Sequence, residues 1–573
     1  MINPKSAIKT DPLSSQIATN QSIPPTKPKV ARCLLSVAVA SSLLLAGCGD
    51  DDEEIVSYAT TVKPISAFTT AQINNGFGLG STATPEAKCD IKIEKVSYLT
   101  VGAAGERTRA TAALMLPSGN SADCRGDRPI LLYAHGTNID KNYDFSQVAN
   151  TKNSAVAEAT LIAANFAAQG YIVVAPNYAG YDESDLDYHP YLVAEQQATD
   201  MVDALDGARS IIERKKRENA STYATINDSG KLFVAGYSQG GHVAMATARL
   251  LEEQNKPVTA IAPSSGPYAL AAFGDAIFAG NVNVGATRFA PLLAEGMQKK
   301  YKNIYDSGSD IFLAQYADTR LPSTQTFDEL VRAGKLPENA MFQAKPTNDP
   351  VLDQLPNSNS PFAFLGFNAN NYLIKTDFRA AYVKDALQNP DGAFPTVINN
   401  AMPAANPQNG LRKALKDNDL RGYIPKMPTL LCGGNQDPTV FYDLNTGAMN
   451  GLLRAASLLN PAARNINVTV LDVDATNEDT RPNQPVLSII GQASMNAWDA
   501  NTVVSNVQSR FATSLTAVQN KAVTDARAAG VTDPNALAQA AFAAVLTNYH
   551  SSLTSAACTQ ATREFFNQEF KAS

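Results

Sequence analysis

Apolar and polar positions along this chain fall into blocks that switch between strand-like and helix-like spacing, and from residue 129 onward the switching is regular. Residues 129–133, 171–175, 232–235 and 258–262 are short continuous apolar runs, the length and composition of strands buried on both faces. Between them, residues 154–168 and 193–216 carry apolar positions at helical spacing, and the second ends in basic residues that suit a helix C-terminus. Strand and helix in alternation predict a mostly parallel sheet with helices on both faces, an α/β architecture. Residues 91–100 and 108–116 read as the two strands of a hairpin ahead of this pattern, and residues 427–432 and 466–473 as strands after it. About 160 residues separate residue 262 from residue 427, with helix-like and irregular patterns that predict a large insertion. A second, mostly helical insertion rich in Ala, Gln and Asn is predicted for residues 477–544.

Residues 231–242 are the stretch around which the other elements are arranged. They contain Gly236-Tyr237-Ser238-Gln239-Gly240, and residues 243–251 follow with helix formers. In a chain with 34 glycines a Gly-x-Ser-x-Gly string arises by chance, and the ordinary alternative is a glycine-rich turn in a βα unit. A strand before it, a helix after it and the further Gly241 give the string its weight: the serine sits on a sharp strand-to-helix turn where flanking Cβ atoms would clash. This stretch resembles the nucleophile elbow of the α/β-hydrolases, in particular a secretory lipase-like and esterase branch. Gly180-Tyr181-Asp182 and His189-Pro190-Tyr191-Leu192 resemble the same branch, whereas Asn177 stands where an Asp is frequent. The resemblance implies an α/β-hydrolase fold with a lid or cap insertion and a triad in chain order Ser, acid, His.

A serine hydroxyl is a weak nucleophile until a base takes its proton, and the base needs a group that holds its tautomer. Four histidines exist: His135, His189, His242 and His550. The family order leaves His550, expected in a loop ahead of a final helix at residues 556–570. His242 lies on the elbow helix and is expected to shape the site; His135 reads as a packing histidine. The acid is assigned to Asp437, after an apolar strand and a Gly-Gly turn that resembles the family's acid loop, with Asp472 and Asp474 as alternatives. His135-Gly136-Thr137 sits where the family places one side of an oxyanion hole. Its donors are expected to be the N–H groups of Gln239 and Thr137, each worth roughly 3–4 kcal/mol of barrier. Within residues 361–383, Phe362, Phe364, Phe367, Tyr372, Phe378 and Tyr382 either line a pocket or, the commoner case, form the core of a helical cap.

The N-terminal region changes the picture of where the chain works. Residues 1–29 are polar, carry Pro24, Pro25 and Pro28, and show no apolar face. Basic residues then precede an apolar stretch at residues 34–46, too short for the roughly 20 residues a bilayer span needs but suited to an export signal. Leu45-Ala46-Gly47-Cys48 resembles a bacterial lipobox, which implies lipidation of Cys48 and, with Gly49 next, an outer-membrane lipoprotein. Five acids at residues 50–54 read as a solvated tether. Removing residues 1–47, which hold five basic and one acidic side chain, takes the formal charge from −7 to −11, a balance that excludes a nucleic-acid partner.

Cys89, Cys124, Cys432 and Cys558 remain, an even number with three possible pairings in an exported chain. The hairpin bracketed by Cys89 and Cys124 favours that pair, leaving Cys432 with Cys558. The expected organisation is signal 1–47, tether 48–85, core 86–266, lid or cap 267–424, core 425–475, helical insertion 476–545 and core 546–573. The expected activity is hydrolysis of small-molecule or lipid carboxylic esters by Ser238, His550 and Asp437, with neither metal nor cofactor. A peptidase or amidase on the same fold, and a surface-binding lipoprotein without turnover, are the alternatives.

Overall fold

The computed structural model describes residues 60–78, 85–355, 366–391, 403–459, 467–474, 486–487 and 500–571. The export signal, Cys48, the acidic run, Phe362 and Phe364 lie outside them. Among the described residues ten strands form one sheet: β1 (Thr61–Phe68), β2 (Asp90–Val101), β3 (Arg107–Ser118), β4 (Gly126–Ala134), β5 (Ile172–Pro176), β6 (Ile226–Tyr237), β7 (Ala260–Ser264), then β10 (Thr429–Gly433), β11 (Val468–Asp472) and β12 (Val486–Leu487). The remaining pair, β8 (Phe342–Gln343) and β9 (Phe367–Asn368), makes a separate small parallel sheet. The spatial order is β1-β2-β3-β5-β4-β6-β7-β10-β11-β12. From β5 to β11 the pairing is parallel, and β1, β2, β3 and β12 join antiparallel.

The burial patterns explain why the sequence separates these two kinds of strand. In β5, β7 and β10 every position is buried, as continuous apolar runs require. β2 instead alternates buried and half-buried positions and pairs with β3 along its whole length, from Asp90↔Ser118 to Val101↔Arg107. Helices Ala194–Arg217 and Gln239–Glu253 pack against each other, and helix Val156–Asn165 packs against the C-terminal helix Ser555–Lys571. The C-terminal helix also touches β6, β7 and β10, so the end of the chain closes over the middle of the sheet.

Between β7 and β10 the chain builds a cap with its own apolar core, mainly from helices Leu270–Ala279, Ala286–Tyr301, Thr376–Gln388 and Gly410–Asp417. The β8–β9 pair lies inside it, an element the helical and irregular pattern did not predict because two-residue strands leave no periodicity. Tyr382 is fully buried and stacks on Phe278 at 3.8 Å, and Phe367 packs near Phe342 at 6.1 Å. Two buried arginines tie the cap internally. Arg412 binds Asp275 at 2.7 Å and Asp385 at 2.9 Å, and Arg421 binds Asp391 at 2.5 Å and Asp419 at 2.8 Å.

The late insertion is a pair of packed helices, Ala500–Ala528 and Pro534–Asn548. The expected loop carrying His550 is not there. A six-residue π-helix, Tyr549–Thr554, joins Pro534–Asn548 directly to Ser555–Lys571. A π turn is wider than an α turn and turns a side chain out of the regular helical rows, which sequence periodicity does not reveal.

Both cysteine pairs are bonded as expected, Cys89 to Cys124 and Cys432 to Cys558. The second fastens the C-terminal helix to β10 across 126 residues. In the chain-entropy model a loop of that length is worth about 5 kcal/mol and the 35-residue loop about 4 kcal/mol. Replacing Cys432 and Cys558 together by Ala is therefore expected to lower unfolding free energy by several kcal/mol and by more than the same change at Cys89 and Cys124. Denaturant titration of the two double variants checks the order.

Candidate active site

Ser238 follows the last residue of β6 and caps the helix Gln239–Glu253 with φ 59° and ψ −124°, a strained conformation for any residue with a Cβ. The flanking glycines permit it. A Cβ on Gly240 would lie 1.9 Å from the Ala134 carbonyl oxygen of β4, and one on Gly236 would lie 2.1 Å from the Gly240 carbonyl oxygen. The helix thus seats directly on the strands, and the serine is lifted at its N-terminus.

Three side chains distant in sequence meet there. His550 Nε2 lies 2.8 Å from Ser238 Oγ, and His550 Nδ1 lies 2.6 Å from Asp437 Oδ2. Asp437 Oδ1 accepts the N–H groups of Thr439 at 2.9 Å and Val440 at 3.0 Å, so the carboxylate is held from both sides. Since an ionised carboxylate only accepts, Nδ1 carries the proton and Nε2 is free to take one from the serine. All three residues are buried.

The neighbouring residues hold these three in place. Tyr237 Oη donates to the His550 carbonyl at 2.7 Å, its ring 5.0 Å from the imidazole. Tyr549 Oη donates to Asp474 Oδ2 at 2.7 Å and accepts the Gln436 N–H at 3.1 Å, next to Asp437. Asp472 Oδ1 accepts the N–H groups of Asn435 at 3.1 Å and Asp474 at 3.0 Å. The two alternative acids therefore brace the turn that carries Asp437. Tyr237 and Tyr549 were not singled out by sequence, although each precedes a singled-out residue by one position.

The other histidines make different contacts. His135 stacks between Tyr143 at 4.3 Å and Tyr178 at 4.1 Å, and burial pushes its imidazole down to about 4. Burial lowers His242 to about 4 as well, with Nε2 on the Asn418 carbonyl at 2.8 Å. His189 is lowered to about 3 by burial; its Nδ1–H donates to the Ala179 carbonyl at 2.9 Å, and its Nε2 accepts the Gln239 side-chain amide at 2.7 Å. Rings that resist protonation this strongly are poor bases. Asn177 also has a physical reason. Its oxygen accepts the Phe145 N–H at 2.7 Å while its amide donates to Thr111 at 2.9 Å and to Asp144 at 3.3 Å, a donation an Asp cannot make.

Gln239 is the first residue of the elbow helix, and Thr137 follows Gly136, whose added Cβ would stand 3.7 Å from Ser238 Cβ. The Thr137 hydroxyl pairs with Tyr191 Oη at 3.0 Å. A cavity opens at Ser238 and Gln239, walled by cap side chains such as Leu270, Phe273, Ile277, Phe289 and Leu293. Its aromatic wall comes from Tyr191, Phe273, Phe278 and Phe289; Phe367, Tyr372, Phe378 and Tyr382 belong to the core of the cap. Among the described residues no cluster of three His, Cys, Asp or Glu side chains stands ready to hold a metal ion, and no helix is long and apolar enough to cross a membrane.

Sheet order, elbow and cap together define an α/β-hydrolase fold. Among solved structures, the chain is similar to the rice cell wall degrading esterase LipA from Xanthomonas oryzae, at 25% identity over 73% of this chain and 91% of that one, with a TM-score of 0.54. A ligand-bound form of LipA aligns over the same shares at 25% identity with a TM-score of 0.55. The closed state of Candida antarctica lipase A aligns at 12% identity over 72% of this chain and 75% of that one, with a TM-score of 0.39, too loose to build on. No family model and no curated protein matches the sequence.

Two outcomes are expected. Tyr549→Phe keeps the ring and removes the hydroxyl between Asp474 and Gln436, so kcat should fall by about tenfold with KM little changed, an effect of 1–2 kcal/mol, in steady-state kinetics. Burial pushes Asp200 up to about 7 although Tyr98 Oη at 2.6 Å and the Ala179 N–H at 2.6 Å both favour its ionised form. The folded chain thus keeps a proton that the unfolded chain releases at about pH 4. That contribution is full below pH 4 and is lost as pH rises to about 7. Asp200→Asn should flatten the decline of the urea midpoint between pH 4 and 7; an unchanged slope would contradict the assignment.

Proposed function

We propose that this chain is an exported serine hydrolase that cleaves carboxylic esters through an acyl-enzyme. The observation that carries the reading is the continuous chain of hydrogen bonds from Asp437 through His550 to Ser238 at the mouth of an apolar cavity. Ser238 Oγ attacks the ester carbonyl carbon as His550 Nε2 takes its proton, and Asp437 steadies the imidazolium. The carbonyl oxygen, now negative, faces the N–H groups of Gln239 and Thr137. Collapse breaks the bond to the alkoxy group, which leaves with the proton from His550. Water then repeats the sequence on the acyl-serine, and acid and free enzyme result.

The apolar wall of the cavity supports an acyl group rich in CH₂, since its burial is worth about 0.8 kcal/mol per methylene. The likeness to an esterase at 25% identity supports ester over amide. Export is supported by the two disulfides, which persist in oxidising compartments. The lipobox-like Leu45-Ala46-Gly47-Cys48 supports a lipid anchor on Cys48 and attachment to the outer membrane.

A fluorophosphonate probe is expected to label the wild type at Ser238 and to leave Ser238→Ala unlabelled, with turnover of p-nitrophenyl esters reduced on the order of a millionfold. Lengthening the acyl chain should raise kcat/KM by up to about fourfold per methylene until the cavity is full. Faster cleavage of peptide anilides than of esters would favour the peptidase reading, and absence of labelling would favour a binding protein.

A further inference from the structure

Helix Val156–Asn165 reads Val-Ala-Glu-Ala-Thr-Leu-Ile-Ala-Ala-Asn, and its one carboxylate, Glu158, turns into the molecule behind the loop of residues 135–137. The Gly136 N–H points between the two carboxylate oxygens, 3.0 Å from Oε1 and 3.2 Å from Oε2. Tyr133 Oη donates to Oε1 at 2.8 Å and Tyr143 Oη to Oε2 at 3.4 Å. A Cβ on Gly136 would lie 3.6 Å from Glu158 Oε2 and 3.7 Å from Ser238 Cβ. Gly136 is therefore a single backbone layer between this carboxylate and the nucleophile. Its N–H, engaged by Glu158, is not offered to a substrate, which leaves the next N–H, that of Thr137, as the loop's donor.

We propose that Glu158 is a positioning residue for the hydrolytic site: as a carboxylate it grips the Gly136 N–H and so sets the orientation of the Thr137 N–H that faces the oxyanion. This rests on the serine-hydrolase reading above. Ionised, Glu158 accepts from all three donors around it, and bonds to a charged acceptor are the stronger kind. Protonated, it loses the charge that makes these bonds strong and one of its oxygens becomes a donor, so the hold on Gly136 weakens.

The surroundings place that change near neutral pH. Burial pushes Glu158 up to about 7, against the Tyr133, Gly136 and Tyr143 hydrogen bonds that pull it down. The titratable groups around it are the phenols of Tyr133, Tyr143, Tyr178 and Tyr237, and the imidazole of His550. Burial holds all four phenols well above their ordinary range, so they stay neutral. An ionised Glu158 and a protonated His550 favour each other. Two groups then govern the acid side of the rate profile, the base itself and the carboxylate that steadies the oxyanion loop.

The test is the pH dependence of kcat/KM on a p-nitrophenyl ester between pH 5 and 9. In the wild type the acid limb should steepen beyond one proton, with a logarithmic slope approaching two. Glu158→Gln is fixed in the neutral form; kcat at pH 8 is expected to fall about tenfold to a hundredfold with KM within about twofold, and the limb to relax to a slope of one. Glu158→Asp keeps the charge and should keep the two-proton limb even if it is slower. A wild-type slope of one overturns the proposal whatever the variants do, as does a Glu158→Gln enzyme that is slower but retains the wild-type profile, which would mark mere packing. Wild-type protein that neither labels with fluorophosphonate nor turns over esters would remove the serine-hydrolase reading itself, a result distinct from either.

Discussion

The strained backbone of Ser238 is the constraint on which the rest depends. A residue at φ 59° and ψ −124° does not stay there by local preference. It stays because the helix behind it rests on β4 and β6 at distances that only glycine allows, with the Ser238 N–H held by the Ser264 carbonyl at 3.0 Å on the neighbouring strand. The parallel sheet is thus a jig for one residue. Its fully buried central strands and the helices packed on them make the strain of one serine small beside the burial that would be lost by relaxing it.

The partners of that serine come from much further along the chain, and their placement needs a different device. Asp437 rides a turn just beyond β10, held by backbone N–H groups from its own segment and by the Tyr549, Asp474 and Gln436 contacts. His550 arrives 312 residues after the serine, at the junction of two helices. The π turn aims its ring, Tyr237 holds its backbone carbonyl, and the Cys432–Cys558 bond fixes the following helix to the strand that leads to Asp437. The turn that carries Asp437 and the segment that carries His550 are therefore tied to the same strand. The cap stands apart from this arrangement: its aromatic and ionic core serves its own stability, and it offers the site only the apolar wall above Ser238.

Much of this was legible in the order of residues. Apolar runs marked the buried strands, because a strand covered on both faces leaves no polar position. The glycines around Ser238 marked the turn, because no other residue fits there. The family order of the triad singled out His550 and Asp437, and the hairpin between Cys89 and Cys124 pointed to the disulfide pairing. Less legible were the supports. Glu158 was not singled out by the pattern of its helix, and Asp472 and Asp474 stood as alternatives to Asp437 whose bracing role no spacing reveals.

Local sequence, then, determined which segments are strands or helices and where a strained serine is possible, because those are matters of periodicity and of steric fit within a few residues. Only the tertiary structure decided which carboxylate meets His550, that the histidine sits on a π turn rather than in a loop, and that the aromatics of residues 367–382 belong to the cap. Each of those outcomes is set by distances between segments that are not neighbours in the chain or by a change of helical pitch, and neither leaves a trace in the spacing of apolar positions.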